Sequence, residues 1–392
     1  MADNDIKSIA EWLVDGARSS AEAHQVLGEL CERLAGCGVP LWRVAVFVRT
    51  LHPHIMGRRF IWRSGAGVEV SSAPFEMIET DTYRNSPVVE IYATGTAIRR
   101  RLADAACPID FAVLQELRDE GATDYLASPL LFTSGEIHVA TWTTQQPGGF
   151  TAAQIEKIEA IVAPLTRVAE IRAARRTATN LLDTYVGNQA GERILSGQIR
   201  RGHTETIHAA IWLSDMRGFT TLADRLPPQT LLELLNDYFD CQVPAILKHG
   251  GDVLKFMGDG LLAIFPIAED ANPAEVCGRA LAAACEARAQ IAAMSSLAQH
   301  AGDGVRFGLA LHVGSVLYGN IGGGNRLDFT CIGPAVNLAA RLEKLAGRLG
   351  RVILASEEFA RHCGARFAPL DKFPLAGFAA EQTVYGAADE EG

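Results

Sequence analysis

No stretch of this 392-residue chain reaches the roughly 18 consecutive apolar residues that a membrane-spanning helix requires. The longest alanine-rich run, residues 277–297, is interrupted by Arg279, Glu286, Arg288 and Gln290, and reads as a helix lying against a sheet. The N-terminus, MADNDIKSIAEWL, lacks a basic segment leading into an apolar core, so it does not read as a signal peptide. Basic charge is also short, with 36 Lys and Arg against 46 Asp and Glu and a formal net charge of −10. That deficit argues against a broad nucleic-acid-binding surface, but leaves room for a local basic pocket. The eight cysteines (31, 37, 107, 241, 277, 285, 331 and 363) form no CxxC pair, which argues for reduced thiols over a disulfide framework or zinc site. These absences together predict a cytoplasmic protein with neither membrane insertion nor nucleic-acid binding. What is present excludes disorder: 48% of residues are hydrophobic and 21% charged, over a length that suits two domains and a connector.

Two helices are predicted first, around Ile6 to Ala17 and Ala21 to Ala35, with Gly36 and Gly38 marking the stop. WRVAVFV and RRFIWRS read as strands, and residues 69–100 as short extended pieces between turns. Phe111 to Glu120 is expected to be helical. ATDYLASPLLF and EIHVATWTT form two strands joined at Ser134 and Gly135. A helix then begins near Thr151, with Gln154 placed for a capping box, and continues through Arg172 to Asp183. Helix, sheet and closing helix describe a small α/β sensor module over residues 1–166. A helical linker covers 167–204 and a second α/β domain covers 205–392. In that domain the expected order is strand 206–215, helices opening at Gly218–Thr220 and running 228–248, and a VLKFM–GDG–LLAIF hairpin. Helix 273–297, strands 305–313 and 326–332, helix 335–347, strand VILA, a short helix and a closing strand pair follow. Mixed strand directions are expected, not a doubly wound sheet.

The polar residues fall at informative places. Asp215 ends an apolar strand just before MRGFT, and Asp259 sits in the glycine-flanked turn. Either alone reads as a cap or a solvated residue. Together they offer two carboxylates where backbone can approach, as divalent metals bridging phosphate oxygens require. The amides of Met216, Arg217, Gly218, Phe219 and Thr220 begin a helix, a natural phosphate cradle, and Gly258 belongs with these candidate substrate contacts. Lys255 lies in an apolar strand, on the opposite pleat face from Leu254 and Phe256, and needs a partner. That partner is a nearby carboxylate or an acceptor on a nucleobase. Asn337 and Arg341, four apart on one helix face, could grip phosphate or ribose oxygens; equally, Arg341 could bond Glu343 or a loop carbonyl. Histidines 203, 208, 249 and 312 show no ligand pattern. His52 and His54 suggest a pocket rim or a polar loop, and Arg99 to Arg101 an anion contact or a solvated face.

The segments LSDMRGFT, VLKFMGDGLLAIF, LHVGSVLYGNIG and RLDFTCIGPAVNLAARLE, in this order, resemble the class III adenylate/guanylate cyclase catalytic domain. The N-terminal domain loosely resembles the GAF-like family in its closing strands and last helix. The cyclase resemblance implies a ferredoxin-like α/β sandwich, with Asp215 and Asp259 binding two divalent ions, Mg2+ or, in vitro, Mn2+. It makes Lys255 the purine-reading residue with Thr330 its partner in a threonine-variant subclass, Asn337 the ribose anchor and Arg341 the transition-state stabiliser. It also implies a head-to-tail homodimer in which each site draws on both chains, and turnover of ATP to cyclic AMP and pyrophosphate. A lysine donates to adenine N1 and a threonine hydroxyl accepts from the amino group, so ATP is favoured over GTP or a pyrimidine nucleotide. A non-catalytic nucleotide-binding module would be expected to have lost some of these residues, and none is missing. One departure stands out: Ala376, in PLAGF, occupies the position where the family often carries a triphosphate-binding lysine, for which Lys372 could substitute. The N-terminal domain is expected to regulate the reaction through an unidentified small molecule.

Overall fold

A computed structural model describes residues 2–294, 305–324 and 326–390, with side chains from Asp5 onward. The chain divides into two units, Met1–Leu181 and Leu182–Gly392.

The N-terminal unit opens with α1 (Ala2–Val14) and α2 (Ala23–Gly36). A six-stranded antiparallel sheet follows: β1 (Arg43–Arg49), β2 (Ile55–Arg63), β3 (Gly67–Pro74), β4 (Ile98–Arg100), β5 (Asp124–Leu131) and β6 (Ile137–Thr144). Its strand order is β3-β2-β1-β6-β5-β4. Residues 69–100 hold more helix than their turn-rich pattern suggests, with α3 (Asp81–Arg84) and α4 (Pro87–Thr94). Ser86 caps α4 and Pro87 supplies its first turn, so the proline that reads as a breaker is a helix start. After α5 (Ala112–Asp119), α6 runs Ala152–Val186. Its entry is the expected capping box: the Gln154 amide donates to the Thr151 hydroxyl at 3.3 Å, and the Thr151 amide to the Gln154 side chain at 2.9 Å. Apolar residues of α1, α2 and α6 meet Val44, Val46 and Trp142 in one core. Arg99 and Arg100 are half-buried and committed to ion pairs, while Arg101 is exposed. Arg99 pairs with fully buried Asp124 at 2.6 Å, and Arg100 pairs with Asp110.

The C-terminal unit begins with α7 (Asn188–Leu195) and centres on β7 (Thr204–Met216). Then come α8 (Phe219–Arg225), α9 (Pro228–Asp240), α10 (Val243–Lys248), β8 (Asp252–Met257), β9 (Gly260–Ile267) and α11 (Pro273–Ala293). The expected single helix 228–248 is two, because Pro244 has no amide to donate and its ring would strike the carbonyl four residues back. Residues 295–297, the expected end of the long helix, lie outside the described residues. The remaining elements are β10 (Phe307–Gly323), β11 (Arg326–Ile332), α12 (Pro334–Leu349), β12 (Ile353–Ser356), α13 (Glu357–Cys363), β13 (Phe367–Phe373) and β14 (Gln382–Ala387). The sheet runs β13-β14-β12-β10-β7-β9-β8 with β11 added on β10, and the β10–β12 pair is parallel within an otherwise antiparallel set. The domain is thus mixed, as its sequence suggested.

β7 explains the layering. Its even residues, Ala210 and Trp212, enter the core made with α9, α10, α11 and α13; its odd residues, Ala209, Ile211 and Leu213, enter the core made with α7 and α12. A strand buried on both faces reads as a continuous apolar run with period-two sorting. No helix among the described residues is long and apolar enough to cross a membrane.

Asp252, 4% exposed at the start of β8, accepts from the Tyr318 hydroxyl at 3.3 Å, and burial lifts its carboxyl to about 6. A carboxyl raised in the folded state costs stability as pH rises from its unfolded value through 6, because the unfolded chain gives up that proton first. Asp252→Asn is therefore expected to raise the melting temperature more at pH 8 than at pH 4. Equal shifts at both pH values would overturn this reading.

Candidate active site

The site is assembled at the end of β7. β8 and β9 form a hairpin in which Met257 pairs with Gly260, leaving Gly258 and Asp259 as its two-residue turn. Gly258 has φ +69°, the conformation that favours glycine at the first position of such a turn. Leu261 of β9 pairs with Ser214 of β7, which lays the turn beside Asp215. A side chain at Gly260 would bring its Cβ within 3.2 Å of the Asp215 Oδ1, so the close approach depends on that glycine. Half-buried Asp215 is held at about 7, first by burial and then by the charge and hydrogen-bonding reach of Asp259. The structure therefore brings the two predicted aspartates together.

Arg217 offsets this repulsion only in part. Its Nη1 lies 2.7 Å from a carboxylate oxygen of Glu343, and its Nη2 donates to the Glu343 carbonyl at 2.7 Å. Two negative charges with the nearest cation committed elsewhere fit a divalent ion, which binds through one or two carboxylates and completes its shell with phosphate oxygens and water. Among the described residues no group of three or more His, Cys, Asp or Glu is placed to hold a metal ion.

The phosphate cradle is narrower than the sequence suggested. Met216 is 3% exposed and still paired in the β-ladder, and the Arg217 amide donates to the Arg306 carbonyl at 2.7 Å. The open amides begin at Gly218, which adopts φ +73° ahead of α8, and continue through Phe219 and Thr220.

A second cluster lies on β8 and β11. The β8–β9 register shifts between Val253 and Lys255, so the expected alternation fails: Leu254 is buried, whereas Phe256 is 53% exposed. Lys255 is half-buried and makes no ion pair among the described residues; its charge reaches Cys331, whose thiol burial pushes up to about 11 against the pull of that ammonium. Thr330, beside Cys331 on β11, is 3% exposed, and its hydroxyl has no hydrogen-bond partner among the described residues. A buried hydroxyl without a partner is rare and costs free energy until something bonds it.

The third cluster is the outer face of α12. Asn337 and Arg341 are exposed, while Leu338, Leu342 and Leu345 face the core. Of the two protein partners suggested for Arg341, Glu343 and a loop carbonyl, it takes the loop carbonyl: its Nε donates to the Ala376 carbonyl at 3.2 Å. Lys372 is exposed on β13 with no ion pair among the described residues. Glu343, considered in the sequence only as a partner for Arg341, instead faces inward to Arg217, which runs beside Gly308 and Gly347. Nothing local in sequence flags that contact, since Arg217 and Glu343 lie on elements far apart in the chain. His312 is buried, bonds the Ser356 hydroxyl and is held down to about 4 by burial, while His52 and His54 lie in a loop.

Residues 203–385 match the family model of the adenylate and guanylate cyclase catalytic domain. The chain carries a cyclase catalytic domain. An adenylate cyclase of Anabaena cylindrica is 31% identical over 170 residues, covering 42% of this chain and 32% of that protein. Adenylate cyclase 1 of Rhizobium meliloti is 28% identical over 179 residues, covering 44% of this chain and 26% of that protein. The chain thus matches about a third or less of the length of these relatives. Among solved structures, an adenylyl cyclase of P. aeruginosa is 28% identical, covers 47% of this chain and 96% of its own, and has a TM-score of 0.41. The three clusters, from Asp215 to Ala376, fall within the matched residues.

Proposed function

We propose that this protein converts ATP to 3′,5′-cyclic AMP and pyrophosphate in a head-to-tail homodimer whose two sites each draw on both chains. The unpartnered, buried hydroxyl of Thr330, beside the strand that carries unpaired Lys255, is the observation that carries the choice of base. An adenine edge offers N1 to the Lys255 ammonium and its amino group to the Thr330 oxygen, whereas a guanine edge presents a donor where Lys255 needs an acceptor.

Asp215 and Asp259 would hold two divalent ions, Mg2+ or Mn2+, which when bound neutralise the triphosphate and ease loss of the 3′-hydroxyl proton. Gly218, Phe219 and Thr220 donate amides to phosphate oxygens, and Gly258 keeps the turn open to them. Asn337 orients the ribose so that its 3′ oxygen lines up with the α-phosphorus. As the new P–O bond forms and the bond to the β-phosphate bridging oxygen breaks, Arg341 meets the negative charge that builds in the transition state. Arg341 is exposed in a single chain, as a residue serving a partner's site would be. The N-terminal unit is read as a GAF-like sensor acting on this domain, in a cytoplasmic protein.

Turnover measured separately with ATP, GTP, CTP and UTP tests the reading. Cyclic AMP from ATP is expected, with Thr330→Val lowering the ATP-over-GTP preference about tenfold, the scale of one lost hydrogen bond to a buried group. A wild-type enzyme that favours GTP would refute the base assignment.

A further inference from the structure

The N-terminal unit contains a crevice of about 800 Å³ between the sheet and the helices α2 and α6, within the usual size range of small-molecule sites. Its floor is apolar, with Leu27 from α2, Val46 and Val48 from β1, Phe60 from β2, and Leu165 and Val168 from α6. Val46 and Val48 share a strand face by their spacing of two, so the floor is continuous with the core made by the same elements. The crevice is a place where that core is left unfilled.

Its lining includes six arginines and a single acid, Glu22. Three of the arginines have work elsewhere. Arg172 donates to the carbonyls of Ser20 and Ala21, each at 2.6 Å; Arg18 donates to the Asp15 carbonyl; and Arg49 lies over the Tyr92 ring. Arg58, Arg175 and Arg176 make no ion pair among the described residues, and burial and the like charge of Arg176 act on Arg58 against the pull of Glu22. Guanidiniums gathered over an apolar floor are a costly arrangement without an anion to share. Water satisfies their charge but not the floor, and a purely apolar guest satisfies the floor but not the charge.

We propose that this crevice binds an amphipathic anion, a carboxylate or phosphate head held by Arg58, Arg175 and Arg176 with its apolar body on the Leu27–Val48–Phe60–Leu165 floor. Both heads are planar or tetrahedral oxyanions that a guanidinium fork can take, so head chemistry is left to measurement. Binding here is independent of nucleotide turnover in the cyclase domain.

The test is calorimetric titration of the full chain with decanoate and with decyl phosphate, alongside 1-decanol and inorganic phosphate, all below their aggregation concentrations. Saturable binding of one decyl anion per chain is expected, with decanol and inorganic phosphate each about tenfold weaker or more, because each lacks one half of the contact. The stronger of the two anions identifies the head. Arg175→Gln/Arg176→Gln, both on an exposed helix face, should weaken that anion about tenfold or more without changing the melting temperature. Val48→Trp, which fills the floor and leaves every arginine, should abolish binding of the anion. Decanol binding as tightly as the anions, or an affinity unmoved by the arginine double variant, would overturn the proposal. So would the absence of saturable binding. If that absence came with a dimer that dissociates on Val48→Trp, the crevice would belong to a second copy of the chain.

Discussion

Asp259→Ala and Arg341→Ala chains are each expected to lose nearly all nucleotide turnover, and their equimolar mixture to regain about a quarter of the wild-type rate. Arg341 alone should account for about a thousandfold, the scale of one arginine meeting transition-state charge. The recovery follows from where the residues sit. Asp259 belongs to the β8–β9 turn beside Asp215, whereas Arg341 stands on the outer face of α12, bonded to a loop carbonyl and to neither aspartate. If a site takes its aspartates from one chain and its arginine from the other, a mixed dimer keeps one intact site and one doubly damaged one. Random exchange makes half of all dimers mixed, and each has half its sites. Activity of the mixture, measured against each variant alone at the same chain concentration, decides the matter. A mixture as inactive as its components would place both residues in one chain's site and refute the shared arrangement. Diluting the wild type until dimers dissociate should lower activity per chain for the same reason.

Glu343→Ala is expected to destabilise the chain by about 3 kcal/mol, as typically follows removal of one partner from a buried ion pair. Glu343 is 4% exposed, and without it the Arg217 guanidinium would keep one carbonyl contact and lose its ion-pair partner. The cavity around that guanidinium is closed on two sides by glycines. A Cβ at Gly308 would lie 1.7 Å from Nη2 of Arg217, and one at Gly347 would lie 2.9 Å from its Cζ. These close contacts hold the partly exposed guanidinium beside Glu343. Restoring volume without charge, with Arg217→Met and Glu343→Leu together, should recover most of the loss, since buried pairs are often matched by apolar groups of similar size. Denaturant unfolding of the single and double variants measures both effects. A Glu343→Ala chain as stable as the wild type would show that the pair is not a support of the fold.

The cyclase half of the chain was largely legible in its sequence because the features that build it are local. Period-two burial on β7, the glycine-flanked turn after β8 and the apolar stripe of α12 each lie within one short segment. Asp215 and Asp259 were recognisable because each ends or turns a strand, and antiparallel pairing does the rest. What escaped was long-range or depended on backbone detail. The bulge that exposes Phe256 adds no residue type that a pattern could detect, and the break before α10 rests on one proline read as part of a helix. The Arg217–Glu343 pair joins residues 126 positions apart, a contact only the fold brings about. In the N-terminal half, α4 was missed because Ser86 and Pro87 look like a turn until the apolar residues after them are seen to face a core. The arginine-rich crevice was equally invisible, since it gathers residues from α2, β1, β2 and α6.

Helix α12 presents Arg341 on its outer face and Glu343 on its inner face, two residues and roughly 200° of helical rotation apart. One helix therefore grips the loop that follows Asp215 while offering its arginine outward. If the proposed symmetric pair forms, the segment that fixes one chain's Asp215 loop is the same segment that supplies its twin's arginine, so the two centres would be built on one shared support.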